Sequence, residues 1–168
     1  MMERRTDHVT RKRVSEMSPE DMRRALLVSE KTGLPNRRAF DEGTTAPWVA
    51  MADVNGLKAL NDHYGYAAGD VLIQRIAHVL LEAKLDAFHN QGDEFLCKGE
   101  SFQELNQKLL VAQQILRNQP FAVRAMNDLI TEIKGAGFCY GIGTNLKEAE
   151  KSLKSQKEIR RQLENDLI

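Results

Sequence analysis

The sequence predicts an α/β protein of the α+β sandwich kind, with a central, mostly antiparallel sheet flanked by helices, on three observations. Residues 48–52, WVAMA, are a short apolar run of buried-strand length that stops at Asp53, where a core strand would leave the interior. Residues 85–97 read as a hairpin: LDAFHN, a Gln91-Gly92 turn, then DEFLC, with Asp93 and Glu94 directly after the turn. Residues 71–84 and 101–118 repeat apolar side chains at helical spacing. Leu72, Ile73, Ile76, Leu80 and Ala83 mark the inner face of the first, and Phe102, Leu105, Leu109, Ala112 and Leu116 that of the second. With strand and hairpin as neighbours, Asp53 and Asp93 meet at one sheet edge. Two converging carboxylates make a hard, oxygen-rich site for Mg²⁺, or Mn²⁺ in its place, which usually completes its coordination with substrate phosphates. That chemistry points to a nucleotide.

Composition narrows the class. A chain of 168 residues has single-domain length, and 42% hydrophobic content suffices for a core. The 24 basic and 24 acidic residues balance, so no global field favours nucleic acid or an anionic membrane. No apolar run approaches the roughly 18 residues that span a bilayer. The N-terminal MMERRTDHVTRKRV lacks the apolar centre of a signal peptide, and the expectation is a cytoplasmic protein. Cys97 and Cys139 stand apart, without metal-ligand spacing, in apolar strand-like contexts; both are expected to be buried, reduced thiols.

In chain order, residues 1–17 are polar and read as a flexible tail, with a basic arm for a partner as the other reading. Ser18-Pro19-Glu20-Asp21 starts a helix, with a cap, a first-turn proline and acids at the positive end of the dipole, that runs to about Lys31. Met22, Ala25, Leu26 and Ser29 share a face, which packs on the domain or on a second copy, or receives a regulatory partner. The main domain is then 32–168. Its first residues, 32–36, form a turn, and Asn36 caps a short helix through Glu42.

After the strand, Asn55-Gly56 breaks the chain and a helix runs over 57–63. Its free N–H groups, with Gly56 permitting close approach, make a phosphate cradle beside the acids, and Lys58 in its first turn reaches those phosphates. Taken singly, Lys58 is also a solvated lysine, Asn61 a surface polar group, Asp70 the N-cap of helix 71–84 and Glu94 a solvated turn acid. His78 reads as a surface or packing residue. Residues 121–126 and 138–142 look like further strands, with turns at 127–128 and 134–137 between them. The last helix, about 146–165, is polar. Ala149, Leu153, Ile159 and Leu163 serve its packing, and Lys157 and Arg161 lie one turn apart on one face, a solvated face on the plainer reading.

The run DVNGLKALNDHYGYAAGD from Asp53 to Asp70, TGLPNRR at 32–38 and QGDEF at 91–95 together resemble, in order and spacing, the GGDEF domain of the diguanylate cyclase family. The resemblance covers about residues 29–161 and implies a palm-like nucleotidyl cyclase fold. It also implies condensation of two GTP into cyclic di-GMP and pyrophosphate by a homodimer, each subunit holding one GTP. In that family pattern Asp53, the Val54 carbonyl and Asp93 hold the metal, and Glu94 supports a second metal or the substrate hydroxyl. Gly56 and Leu57 border the phosphates, while Lys58, Lys157 and Arg161 hold them. Asn61 and Asp70 meet guanine; an Asp at 70 accepts from guanine N1–H and the 2-amine together, a pairing adenine cannot offer.

The chain departs from the family pattern at several positions. Ser29 and Lys31 stand where relatives commonly carry Asp and Leu, and His89 where many have Arg. Gln91 replaces the first Gly of the signature, where a side chain at a turn needing positive φ or close substrate approach would obstruct the site. Glu82 and Leu85 occupy the positions of the inhibitory Arg and Asp, so product feedback through that site is not expected. No sensor domain is expected before the first helix. The leading expectation is an active diguanylate cyclase. Its rival is a catalytically inactive GGDEF module binding GTP or a protein partner, and the third reading is a different nucleotidyl cyclase or a hybrid dinucleotide synthase.

Overall fold

The computed structural model describes residues 12–124, 129–133 and 135–166. Residues 1–11 of the expected tail, the strand end at 125–126, the turn at 127–128 and Lys134 lie outside the described residues. In order the elements are α1 (Pro19–Leu27), α2 (Arg37–Glu42), β1 (Trp48–Val54), α3 (Leu57–Tyr64), α4 (Tyr66–Glu82), β2 (Asp86–Gln91), β3 (Glu94–Gly99), α5 (Phe102–Asn118), β4 (Phe121–Arg124), β5 (Ile130–Ile133), β6 (Phe138–Gly143) and α6 (Leu146–Asp166). The main sheet has the order β2-β3-β1-β6 with every pairing antiparallel, and β4 and β5 form a separate hairpin. This is the α+β architecture that the strand and helix patterns predict.

Strand alternation sorts the core into two layers. Ala50, Ala52 and Val54 of β1, with Phe95 and Cys97 of β3, pack against α4 and α5 through Leu72, Ile76, Leu80, Leu105 and Leu109. Val49 and Met51 of β1, with Leu96 and Phe88, pack on the other face against Ala149 and Leu153 of α6 and Phe40 of α2. Burial pushes the Cys97 thiol up to about 12, so it is an inert core residue.

Several boundaries differ from the sequence reading. The first helix begins as predicted, with Ser18 Oγ accepting from Asp21 N–H at 3.0 Å, but ends at Leu27 rather than Lys31. Val28 turns extended and bridges Pro35, and the 28–35 segment closes as a tight loop through Ser29 N–H to the Leu34 carbonyl, 2.8 Å. No α1 residue is buried: Met22 and Leu26 are 40% and 52% exposed, so the domain does not cover their face. The long helix begins at Tyr66, and Asp70 lies within it rather than capping it. Gly65, at φ +93°, makes the break between α3 and α4 in a conformation that only glycine adopts readily. β5 is an additional strand. Phe102, Ile159 and Leu163, expected inside, are 42%, 51% and 60% exposed. Cys139 is half-buried rather than buried, and His78 is exposed as expected.

Candidate active site

The odd-numbered series of β1, Val49 and Met51 on the α6 side, continues to Asp53 at the strand end. On α6 the two buried residues are Ala149 and Leu153. One further turn along this i, i+4 row stands Lys157, and its Nζ donates to Asp53 Oδ2; Arg161 follows one turn later. The row that packs the helix on the sheet thus delivers a cation to the acid where the sheet ends.

β3 brings the second acid. Glu94 is the cross-strand partner of Asp53, while the Val54 N–H donates to the Asp93 carbonyl at 3.1 Å. The Asp93 carboxyl is close enough to Asp53 to raise its pKa. Asp53 is only 9% exposed, and its Oδ1 is buried without a hydrogen-bond partner. Burial, reinforced by Asp93 and opposed by Lys157, holds the Asp53 carboxyl above its ordinary value. A buried carboxylate oxygen without a partner, on an acid whose neighbour is a second carboxyl, fits a hard divalent cation. Among the described residues no group of three or more His, Cys, Asp and Glu side chains is placed to hold a metal ion.

The hairpin turn corrects one expectation. Gln91 is the last residue of β2 and pairs with Glu94, leaving Gly92 and Asp93 as the turn. The positive φ, +53°, falls on Gly92, so the backbone at the exposed Gln91 does not itself require glycine. Glu94 is half-buried and accepts from Asn90 Nδ2 at 2.8 Å.

A third constraint on this turn was not read from sequence. His89 is 7% exposed; its Nε2 lies 2.9 Å from the Gly92 carbonyl oxygen and its Nδ1 2.7 Å from Ser29 Oγ. The carbonyl can only accept, so in the neutral ring Nε2 carries the hydrogen and Nδ1 accepts from the serine hydroxyl. The two departures noted at Ser29 and His89 are therefore hydrogen-bonded to each other.

At the other side of the acids, Gly56 precedes α3 at φ +67°. Leu57 is half-buried against the core, and Lys58 is exposed in the first turn. Val54, Asn55, Gly56, Lys157, Arg160 and Arg161 line a cavity of about 190 Å³ beside Asp53. A larger cavity of about 410 Å³ opens on the other side of Asn55 and Gly56, along α3, and one of about 390 Å³ lies between α5, β6 and α6; the site is located by the two acids rather than by cavity size. Arg160 was not singled out from sequence, although it stands three residues after Lys157 and thus on the same face. Asn61 packs against Gly69, where no side chain has room, and its Oδ1 is buried without a partner. That contact sets Asn61 next to Asp70 at the α3–α4 junction. Asp70 itself pairs with Lys31 at 3.0 Å.

A family model described as "Diguanylate cyclase, GGDEF domain" matches residues 28–163. The diguanylate cyclase VdcA of Vibrio cholerae is 37% identical over 79 residues, 41% of this chain and 23% of that protein. An uncharacterized protein in the hutH 5′ region of Streptomyces griseus is 38% identical over 72 residues, 36% of this chain and 30% of that protein. The matched stretch is thus less than a third of either relative. The GGDEF domain of DgcB from Caulobacter crescentus, solved with c-di-GMP, is similar at a TM-score of 0.69 and 21% identity, over 79% of this chain and 90% of that one. The diguanylate cyclase SiaD of Pseudomonas aeruginosa, solved with its activator SiaC, gives 0.66 at 21% identity, over 83% and 62%. The solved structures share the fold, the family model spans most of the residues that build it, and the chain belongs to the GGDEF domain family of diguanylate cyclases.

Proposed function

We propose that the chain is an active diguanylate cyclase, joining two GTP into cyclic di-GMP with release of two pyrophosphates. The observation that carries this reading is the closeness of Asp93 to Asp53 at the end of β1, where one Asp53 oxygen is buried without a partner and the other accepts from Lys157. Asp53, Asp93 and the Val54 carbonyl would hold Mg²⁺ or Mn²⁺, which when bound lowers the pKa of a 3′-hydroxyl and neutralises charge at the α-phosphate. Gly56, Leu57 and the free N–H groups of α3 receive the phosphates. Lys58, Lys157 and Arg161 stabilise the departing pyrophosphate, Glu94 supports the attacking hydroxyl, and Asn61 and Asp70 hold the guanine.

One domain holds one GTP, so ring closure requires two domains facing each other with antiparallel substrates. The uncovered face of α1, with Met22 and Leu26, is the surface for a second copy or a regulatory partner; the SiaD structure with its activator is a precedent for regulation by a bound protein. Among the described residues no helix is long and apolar enough to cross a membrane.

The test is incubation with Mg²⁺ and GTP, with and without ATP, at high protein concentration, followed by chromatography of the products, with Asp93→Asn alongside. Cyclic di-GMP that disappears in the variant is the expected result. GTP binding without product would make the chain an inactive module of the same fold, and incorporation of adenosine would make it a hybrid synthase.

A further inference from the structure

The structure assigns Lys31 as a specificity-determining residue that reads the O6 carbonyl of the purine held by Asp70. This rests on the reading of Asp70 as the guanine contact and extends it to a residue outside the family pattern. Lys31 is anchored to α4 at both ends. Its carbonyl accepts from Gln74 Nε2 at 3.1 Å, and its Nζ lies 3.0 Å from Asp70 Oδ1. Gln74 stands one turn after Asp70, so the backbone bond fixes the loop tip over the helix, and the side chain reaches back to the carboxylate. The 28–35 loop is itself closed by the Ser29 to Leu34 and Gly33 to Ser29 backbone bonds, each 2.8 Å. The ammonium is thus held in place from its own backbone.

The pair is 40% and 50% exposed, and exposed pairs contribute little to stability, so the fold does not require it. Its chemistry matches guanine. N1–H and O6 are neighbours on the ring. A carboxylate oxygen that accepts from N1–H sets its own ammonium partner beside O6, the acceptor that lysine commonly reads on guanine. Adenine presents an amine at that position, which would face the ammonium donor to donor. Lys31 thus adds a second discrimination to the one made by Asp70.

The experiment measures equilibrium binding of 3′-deoxy nucleoside triphosphates with Mg²⁺; these lack the attacking hydroxyl and cannot react. Three bases separate the contacts: guanine, hypoxanthine, which keeps N1–H and O6 and loses the 2-amine, and 2-aminopurine, which keeps the 2-amine and lacks both O6 and the N1 hydrogen. Lys31→Met is expected to weaken the guanine and hypoxanthine nucleotides about ten-fold, leave the 2-aminopurine nucleotide unchanged, and leave the thermal midpoint unchanged; Lys31→Arg restores the guanine preference. Equal weakening of all three would mean simple attraction to the triphosphate, and tighter guanine binding would mean that Lys31 competes for Asp70. Either result overturns the assignment, as does an unchanged Lys31→Met when Asp70→Asn weakens binding. If neither variant matters, or the wild type binds no nucleotide, the guanine reading of Asp70 fails and the role of Lys31 with it.

Discussion

Lys157 donates a hydrogen bond from its ammonium to Asp53 Oδ2 across 104 residues of sequence, at the point where β1 leaves the core. The lysine is 40% exposed and the aspartate side chain 12%, so the cation sits at the mouth of the site and the acid inside it. The charge that a metal would bring to Asp53 is supplied here by the chain itself.

Lys157→Met is therefore expected to destabilise the metal-free protein by about 1 kcal/mol, the magnitude of an ion pair with one partly solvated partner. For a chain of this size that is roughly 2–4 °C in thermal midpoint. The deficit should appear in chelator and shrink in excess Mg²⁺, because the divalent cation then neutralises Asp53. A deficit of equal size in both conditions would mean that Lys157 acts on packing alone.

The raised carboxyl of Asp53 makes a pH prediction with a definite sign. Burial is the first cause, Asp93 adds to it and Lys157 opposes it. Between the ordinary carboxylate value and the raised one, the folded state binds this proton more tightly than the unfolded state. Stability from this group is accordingly present at low pH and lost as pH rises through that window. Metal-free wild type should match Asp53→Asn near pH 4 and fall below it toward neutrality in thermal unfolding. Mg²⁺ should then stabilise the wild type at neutral pH and leave the variant unmoved. A wild-type advantage that grows with pH in chelator would contradict the sign.

His89 braces the turn that carries Asp93, between the Gly92 carbonyl and Ser29. His89→Ala should cost about 2–4 kcal/mol in denaturant unfolding, from lost packing on Phe95 and two unsatisfied polar groups. Replacing the pair together, Ser29→Asp with His89→Arg, substitutes one complementary pair for another. The double variant should recover most of what His89→Arg alone loses, a coupling that a double-mutant cycle reads directly.

Gly141 is where β6 meets α6. A methyl there would run into the backbone of Leu153 and Ala149, so Gly141→Ala should destabilise by about 1–3 kcal/mol. Because Leu153 and Lys157 share one helical row, lifting the helix also draws the ammonium from Asp53. Loss of stability and weaker triphosphate binding should therefore appear together, measured by unfolding and by calorimetry with 3′-deoxy-GTP.

Much of the fold was legible in local chemistry. The WVAMA run has strand length and stops at an acid, and Ser18 and Asn36 accept from the helix N–H groups that their positions predict. The start of α4 was not legible, because Asp70 suits an N-cap by residue type while the helix begins four residues earlier, where the positive φ of Gly65 decides it. The same ambiguity moved the hairpin turn one residue, from Gln91-Gly92 to Gly92-Asp93. β5 was missed because ITEI is short and stabilised by its pairing with β4 rather than by its own pattern.

By itself, then, the sequence determined most of the elements, the buried faces of β1 and α4, and the motif residues that mark the family. Periodicity states which side a residue takes and is silent about what covers that side. The tertiary structure alone decided that α6 covers the Asp53 face, and so which lysine meets which acid. It likewise decided that the loop after α1 lies over α4 to pair Lys31 with Asp70, and that Ser29 meets His89. Each pair joins segments far apart in the chain, and such contacts are settled by how layers close over a shared core, a property of the packed whole.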